Sequence, residues 1–288
     1  MTSRNRAELF LLFATFIWGG TFVIIKLALN DISPIFFVAI RFFTASSIFL
    51  LLLYKTVFPV SRSAFKKGMI LGVLLLIGFI VQTIGLTITT ASKSGFITGM
   101  LVVFTPLFQV AIEKRIPKIG NIIGVVCVAI GLYFLTSPQG SEFNLGDFLT
   151  LCCAIVYALY IIYLDLCSEE NISVLIFLQL AVVGVGATLY AFFFEEIRIT
   201  ITTPVTIAFL YTTFLATMLT TFIQTKYQKE TTPTRAAVIF SLEPVVAAIS
   251  AYYIIGDKLG IFGVFGGALI VAGFIISETS DSWKIFEK

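Results

Sequence analysis

Long apolar segments separated by short polar connections run through the whole chain. Ten of these segments are long enough to cross about 30 Å of hydrocarbon as an α-helix. They cover residues 9–29, 34–54, 69–88, 94–112, 119–136, 146–164, 172–194, 204–225, 234–255 and 259–277. The connections are too short to hold a soluble domain. The pattern predicts an all-α integral membrane protein with ten transmembrane helices, which we number as spans 1 to 10.

Composition indicates the same class of protein. Hydrophobic residues make up 58% of the chain and charged residues 12%, with a mean hydropathy of +1.03, whereas soluble domains carry roughly 25% charged residues. The first apolar run is longer than the apolar core of a typical signal peptide and has no clear small-residue cleavage site, so we expect span 1 to be retained. We therefore expect a multi-pass protein of the cell (inner) membrane, with the lipid bilayer as its principal partner.

Basic residues concentrate in alternate connections, and this bias predicts the orientation. Placing both termini in the cytoplasm puts fourteen Lys and Arg residues there and four on the opposite side. Residues 165–171 are an exception, because this connection should be cytoplasmic yet carries three carboxylates and no basic residue. The net charge of +3 follows from the topology and gives no reason to expect a nucleic-acid partner.

Residue types that enzymes depend on are scarce. The chain has no histidine, although membrane desaturases, haem proteins and most zinc or di-iron hydrolases need imidazole ligands. No C-x-x-C pair, G-x-S-x-G turn or Walker loop occurs in a suitable context. We interpret the cysteines as small packing residues: Cys127, Cys152, Cys153 and Cys167. The sequence therefore predicts neither an enzyme nor an ATP-driven pump, and neither a cofactor nor a metal.

Segments of the first half align with segments of the second at a nearly constant offset. ELFLLFATFIWGGTFVIIK (8–26) aligns with DFLTLCCAIVYALYIIYLD (147–165) at an offset of 139. Pro106 in span 4 corresponds to Pro244 in span 9 at an offset of 138. Apolar runs also align by chance, but matched aromatic residues and prolines make chance the weaker explanation.

We interpret these offsets as two five-helix repeats, residues 1–138 and 139–288. Five is an odd number, so the second repeat enters the membrane from the opposite side and the two repeats form an inverted-topology pair. Transporters with such pairs bind substrate near the membrane midplane, at the interface between the repeats.

Several motifs, in this order and spacing, resemble the drug/metabolite transporter superfamily, specifically its ten-helix EamA-type members. They are IWGGTF, SPIFFVAIRF, VYALY, AAVIFSLEPVVAA and GDKLGIFGVFGGALIVAGFII. The resemblance covers essentially the whole chain. It implies two inverted five-helix repeats that export or exchange small metabolites such as amino acids through a central cavity. The chain departs from the family pattern at Asp257, where such proteins often carry Glu, and its repeats differ because Thr105 precedes Pro106 where Glu243 precedes Pro244.

Glu243 is a carboxylate within the hydrocarbon zone. At 1.5 Å per residue it lies roughly 12 Å from Arg235 and roughly 20 Å from Asp257 along the helix. A charged side chain there costs on the order of 2.5 to 3.5 kcal/mol on insertion scales, so Glu243 must face a cavity, pair or be protonated. Pro244 removes an amide donor beside it. Two interpretations stay open: direct binding of substrate or protons, and a structural kink in which Glu243 bonds another helix.

Arg41 in span 2 raises a parallel choice. Its long side chain can snorkel to the outer interface, attract an anionic group of the substrate, or pair with Glu243. We favour the snorkelling or structural interpretation. Lys26, nearer the end of span 1, is expected at the interface.

Further polar and aromatic side chains indicate which helix faces are wet. Span 8 carries Thr213, Thr217, Thr220 and Gln224 at spacings of 4, 3 and 4, which form one stripe on an α-helix. Such a stripe lines a cavity or forms interhelical hydrogen bonds. Gln82 needs a cavity or a partner. Three mid-helix aromatics are candidate cavity walls: Trp18, Tyr157 and Tyr160. Our candidate substrate or coupling residues are Trp18, Arg41, Gln82, Tyr157, Tyr160, Thr213, Thr217 and Glu243.

Glycines at small-xxx-small spacing occur in spans 5 and 10, at Gly120, Gly124, Gly263 and Gly267. This spacing lets helices approach closely. We interpret the glycines as packing seams, either within the bundle or between protomers of a homo-oligomer.

Together with the family resemblance, which implies export or exchange of small metabolites, these features predict a secondary transporter or exchanger that works by alternating access. The cavity is expected between spans 1, 3, 4, 6, 8 and 9, with protons as a candidate coupling ion. The alternative is a membrane scaffold or lipid-binding regulator that transports nothing.

Overall fold

The computed structural model describes residues 2–135, 143–256 and 260–279. The described chain is helical, apart from connections and one isolated antiparallel bridge between Ile32 and Ile199. The α-helices are α1 Ser3–Ala28, α2 Pro34–Val57, α3 Arg62–Ile88, α4 Ala91–Gly99, α5 Leu101–Phe108, α6 Ile119–Leu135, α7 Leu145–Asp165, α8 Ile172–Phe194, α9 Thr203–Leu210, α10 Thr220–Tyr227, α11 Pro233–Phe240, α12 Glu243–Ile255 and α13 Ile261–Thr279. The predicted repeat boundary at 138/139 and Asp257, Lys258, Lys284 and Lys288 lie outside the described residues.

The predicted spans correspond to these helices. Within the described ranges, nine helical stretches are long and apolar enough to cross a membrane, and Ile119–Phe134 forms a shorter apolar helix. Two spans begin earlier than predicted, at Ser3 and Arg62, because the Thr2 and Ser61 side chains accept hydrogen bonds from the first turns of α1 and α3. Hydropathy marks only the apolar part of a helix, so it misses such polar first turns.

Spans 4, 8 and 9 are each built from more than one helical segment. Span 4 consists of α4, α5 and a π-helix, Gln109–Glu113. Span 8 consists of α9, a π-helix at Tyr211–Leu219, α10 and a 3₁₀ turn. Span 9 is divided into α11 and α12 at Ser241 and Leu242, directly before Glu243. Pro244 therefore lies in the first turn of α12, where a proline leaves no helical hydrogen bond unmade.

Helices α6 and α13 pack against each other through glycines. A Cβ atom on Gly124 would lie 2.8 Å from the carbonyl oxygen of Gly273, and one on Gly131 would lie 2.7 Å from that of Gly266. Of the four glycines predicted to form packing seams, Gly124 makes such a close approach inside the bundle. The homo-oligomer through these helices stays a prediction.

Contacts between connections define two ends of the bundle. At the first, which we call the Glu8 end, Ser3 donates to Glu230 (2.8 Å), and Arg235 bonds both Glu8 and Glu278. The start and the end of the described chain therefore lie at the same end of the bundle.

The opposite end, the Lys26 end, holds the α1–α2, α3–α4 and α8–α9 connections. The Ser33 hydroxyl donates to the carbonyl oxygen of Glu196 (2.9 Å), and Thr202 donates to Asp31 (2.8 Å). Lys26 does not extend freely into the interface. Its amino group donates to the carbonyl oxygen of Leu86 and to that of Thr89 (3.0 Å for Thr89), at the carboxyl end of α3. A cation at a helix carboxyl terminus is stabilised by the helix dipole.

The acidic connection at 165–171 lies beside basic residues of the α2–α3 connection. Lys67 forms an ion pair with Glu170 at 2.9 Å, and the Ser63 hydroxyl donates to the same carboxylate at 2.6 Å. These hydrogen bonds, from Ser63 and then from Lys67, hold the pKa of Glu170 below its ordinary value. Neighbouring basic residues thus offset the negative charge that made this connection an exception in the sequence.

Candidate functional site

A cavity of about 100 Å³ lies in the middle of the bundle. One water molecule needs roughly 10 to 15 Å³ on this measure, so the cavity has room for several waters or a small solute. Its wall is built by α1 to α5 from the first half of the chain, and by α7, the π-helix of span 8 and α10 to α12 from the second. Span 2, absent from the predicted set of cavity helices, contributes Phe37, Val38 and Arg41.

Glu243 lies on the cavity wall as the first residue of α12. Its side chain is half-buried and forms no hydrogen bond or ion pair with any described residue. The amino terminus of α12 favours a negative charge at this position through the helix dipole. Its backbone is held by α1, because a Cβ on Gly19 would lie 2.9 Å from the Glu243 carbonyl oxygen. A carboxylate available for a ligand therefore faces the cavity from a fixed helix end.

Arg41 is buried, with 3% of its surface exposed, and lines the same cavity. Its Nε donates to the Thr217 hydroxyl and one terminal nitrogen donates to the Ala216 carbonyl oxygen at 3.2 Å. Its guanidinium also lies 5.0 Å from the ring centre of Phe42 and 5.2 Å from that of Phe79, distances at which cations attract aromatic rings.

Snorkelling, one of the two favoured interpretations of Arg41, is therefore wrong, whereas the structural interpretation agrees with the hydrogen bonds of Arg41 to span 8. The side chain is held by span 8 and points into the bundle, because hydrogen-bond acceptors and aromatic faces satisfy it there. Arg41 also forms no ion pair with Glu243 or with any other described carboxylate. Its second terminal nitrogen has no acceptor among the described residues, so the cavity has a cation as well as a carboxylate.

The π-helix of span 8 supplies the acceptor that orients Arg41. The carbonyl oxygen of Ala216 accepts from Arg41, from Trp18 Nε1 at 3.2 Å and from the Thr220 hydroxyl at 2.8 Å. A π-helix interrupts the regular hydrogen-bond ladder and is common at functional sites. Here it leaves a carbonyl available to side chains from spans 1 and 2.

A short chain of polar side chains crosses another part of the wall. Tyr157 donates its hydroxyl to Gln82 at 3.3 Å, and Gln82 donates to Thr98 at 3.2 Å. These two hydrogen bonds fix the orientation of the Gln82 amide, so this part of the wall can form directional hydrogen bonds.

Six of the eight candidate residues line the cavity: Trp18, Arg41, Gln82, Tyr157, Tyr160 and Glu243. The hydroxyl of Tyr160 points away from it and donates to Gln179 in α8 at 2.6 Å. Thr213 and Thr217 are buried but do not line the cavity. The reason is the π-helix, which changes the angle between successive side chains and breaks the predicted stripe. Thr217 instead acts on the cavity through Arg41.

Sequence analysis missed several wall residues, among them Thr98 and Phe240. Phe240 packs edge-to-face on Trp18, with ring centres 5.3 Å apart. No signal singles out Phe240 among thirty phenylalanines, and a lone threonine such as Thr98 is ordinary in a membrane helix. Within the described ranges, no three His, Cys, Asp or Glu residues are grouped as metal ligands.

Two segments of the chain match the EamA-like transporter family, residues 5–137 and 144–279. The chain belongs to this family. Among its relatives, an uncharacterised transporter of Archaeoglobus fulgidus is 34% identical over 95% of this chain and 86% of that protein. A second uncharacterised transporter of the same organism is 24% identical over 95% of this chain and 97% of that protein.

Two further comparisons agree with this assignment. The uncharacterised transporter YoaV of Bacillus subtilis is 26% identical over about half of each chain (50% and 51%). A solved crystal structure superimposes on this EamA-like protein with a TM-score of 0.79 at 13% identity, covering 95% of this chain and 96% of the other. This likeness concerns the fold alone. The assignment establishes a multi-pass membrane transporter, not an enzyme.

Proposed function

We propose that the protein is a secondary transporter, acting as an exporter or exchanger of small metabolites such as amino acids, by alternating access around the cavity. The observation that carries this proposal is a pair of ionisable side chains of opposite sign on the cavity wall. Arg41 and Glu243 face one cavity without pairing with each other, and both retain hydrogen-bonding capacity towards a ligand. A free amino acid offers a carboxylate and an ammonium group, so it suits two unpaired charges of opposite sign.

Packing between spans supports the proposal of two inverted repeats. Span 3 packs on span 6 as span 8 packs on span 1, and span 4 packs on span 6 as span 9 packs on span 1. Spans 5 and 10 pack on each other, as do spans 2 and 7. When the two halves are exchanged, the first four of these contacts therefore map onto one another in pairs, and the last two map onto themselves. The family match itself also falls into two segments.

The orientation remains part of the proposal. Basic residues of the α2–α3 and α5–α6 connections and of the first turns of α1 group at the Glu8 end, which favours a cytoplasmic position for this end. We propose Glu243 as the residue that contacts substrate or couples transport to protons.

Counterflow in proteoliposomes tests transport directly. Vesicles preloaded with a mixture of unlabelled amino acids should accumulate a labelled one transiently and saturably, and protein-free vesicles should not. A membrane scaffold or lipid-binding regulator gives no saturable counterflow with any metabolite. That result would refute the proposed function.

A further inference from the structure

Two polar clusters, each made of one basic residue, one threonine and one carboxylate, lie at opposite ends of the bundle. At the Lys26 end, Lys93 donates to Asp147 at 2.8 Å, and the Thr89 hydroxyl donates to the other oxygen of that carboxylate at 2.6 Å. We call these three residues the Lys93 cluster. Together they tie the start of α4 to the start of α7.

The Glu8 end repeats this arrangement. Arg235 Nε donates to Glu8 at 2.8 Å, and the Thr231 hydroxyl donates to the same carboxylate at 2.9 Å. We call these residues the Arg235 cluster. It ties the start of α11 to the start of α1.

The correspondence extends to the sequence. TTASK (89–93) and TTPTR (231–235) match at an offset of 142, and Glu8 matches Asp147 at 139. In both segments the second threonine caps the helix and accepts from the backbone N–H of the basic residue, at 3.2 Å for Lys93 and 3.3 Å for Arg235. Base, hydroxyl and carboxylate thus recur together in both halves.

Both clusters lie on helices that reach the cavity. Lys93 is five residues before Thr98, and Arg235 is five residues before Phe240, which is about 7.5 Å along a helix in each case. Thr98 and Phe240 both line the cavity. Each cluster therefore joins one half of the chain to the other, on opposite sides of the cavity.

We propose that the Lys93 cluster and the Arg235 cluster are the two gates of the transport cycle, each closing one end of the cavity by holding a helix of one half against a helix of the other. In the structure both clusters are formed. Separating Lys93 from Asp147 frees α4 from α7 and opens the Lys26 end. Separating Arg235 from Glu8 frees α11 from α1 and opens the Glu8 end.

The two gates differ in strength. Arg235 also donates to Glu278 at 2.7 Å and to the carbonyl oxygen of Ser277 at 3.0 Å, so it holds α13 as well. Its side chain is 3% exposed, whereas that of Lys93 is 22% exposed. Because Arg235 is less exposed and also holds α13, the Arg235 cluster is harder to open, so the Lys26 end opens more readily.

Accessibility of a cavity cysteine tests both gates at once. The reporter is Thr21→Cys, on the cavity wall, in a chain whose four cysteines are replaced by alanine. A membrane-impermeant maleimide is applied to intact cells and, separately, to inverted membrane vesicles. Lys93→Met should raise labelling from one face and Arg235→Met from the opposite face, each roughly tenfold, the shift that follows from about 1.4 kcal/mol of lost stabilisation.

Matched variants separate gating from damage to the fold. Lys229→Met removes an exposed lysine of the Glu8 end whose hydrogen bond, to the Ser168 carbonyl oxygen, belongs to neither cluster, and it should leave labelling unchanged. Should a methionine variant fail to fold, Thr89→Val and Thr231→Val replace it. Each removes one hydrogen bond to a carboxylate without changing side-chain size, and should give a smaller increase from the same face.

Two results would overturn the gate proposal. In the first, labelling rises from the same face in Lys93→Met and in Arg235→Met. In the second, neither variant is labelled more than Lys229→Met. The proposal rests on the proposed function for its role in transport, but labelling needs no substrate. If labelling is side-specific but counterflow is absent, the transport function is refuted and the gate proposal stands. If counterflow occurs but labelling is not side-specific, only the gate proposal is refuted.

Discussion

Spans 4 and 9 are interrupted at corresponding places, but only span 9 has a carboxylate beside its interruption. Helix α4 ends at Gly99 and α5 begins at Leu101, whereas α11 ends at Phe240 and α12 begins at Glu243. The two interruptions touch, because a Cβ on Gly99 would lie 3.0 Å from Pro244. The backbone design is therefore shared while the charge belongs to one half. In the transport cycle that we propose, the shared geometry provides the two-sided movement, and the unequal charge makes span 9 the one of the two spans that contacts the ligand.

Of the substitutions that test this difference between spans 4 and 9, Glu243→Gln should reduce transport most. Hydrogen bonds to charged groups contribute about 1.5 to 3 kcal/mol, so the change should lower counterflow roughly 10- to 100-fold. The control is Thr105→Ser in span 4, which keeps the hydroxyl that donates to the Leu101 carbonyl oxygen and should leave transport intact. If Glu243→Gln keeps both the substrate affinity and the pH dependence of the unchanged protein, Glu243 has no role in binding or coupling.

Arg41→Lys should have the second-largest effect. It tests whether a positive charge in span 2 is sufficient for substrate binding. Lysine lacks the planar fork with which Arg41 reaches Thr217 and Ala216 while keeping a nitrogen for the cavity. We expect the concentration for half-maximal counterflow to rise about tenfold, as for one lost charge-assisted hydrogen bond. Arg198→Lys, in the α8–α9 connection, is the matched control. Equal affinities for Arg41→Lys and Arg198→Lys would contradict this role of Arg41.

Gly19→Ala tests the contact that fixes Glu243. A Cβ there would lie 2.5 Å from Val246 Cβ and 2.9 Å from the Glu243 carbonyl oxygen, so α1 and α12 must separate. We expect a loss of about 1 to 3 kcal/mol in the free energy of unfolding, seen as a lower melting temperature in detergent. The control is Gly95→Ala in span 4, whose Cβ would meet its first neighbour at 3.8 Å and should be tolerated. Equal melting temperatures for the two variants would rule out the close approach at Gly19.

Tyr157→Phe should have the smallest effect. It removes one neutral hydrogen bond, to Gln82 at 3.3 Å, which contributes about 0.5 to 1.5 kcal/mol. Substrate affinity should fall by up to about tenfold. Tyr160→Phe is the matched control, since its hydroxyl bonds Gln179 outside the cavity and should affect stability but not affinity. A larger loss of affinity in Tyr160→Phe would reverse the assignment of the two tyrosines.

The approximate positions of the spans could be predicted because hydrocarbon imposes length and composition on each crossing helix. The same reasoning left three environments for Glu243, since a carboxylate in hydrocarbon requires water, a partner or a proton, and the structure places it on a cavity wall. Arg41 could not be placed in this way, because a long side chain can reach either the interface or the bundle interior. The π-helix of span 8 left no periodic signal, so the stripe through Thr213 and Thr217 was assigned to a regular α-helix.

By itself, the sequence determined that this chain is a multi-pass membrane protein, approximately where its apolar helices lie, and that a charge at Glu243 must be accommodated. Only the tertiary structure decided that Arg41 turns towards Ala216 and Thr217, that Lys93 meets Asp147, and that Arg235 meets Glu8. The physical reason is that apolar length and polar cost act on each helix separately. Which side chains meet depends on how the helices are rotated and shifted against one another, and that follows from the packing of the whole bundle.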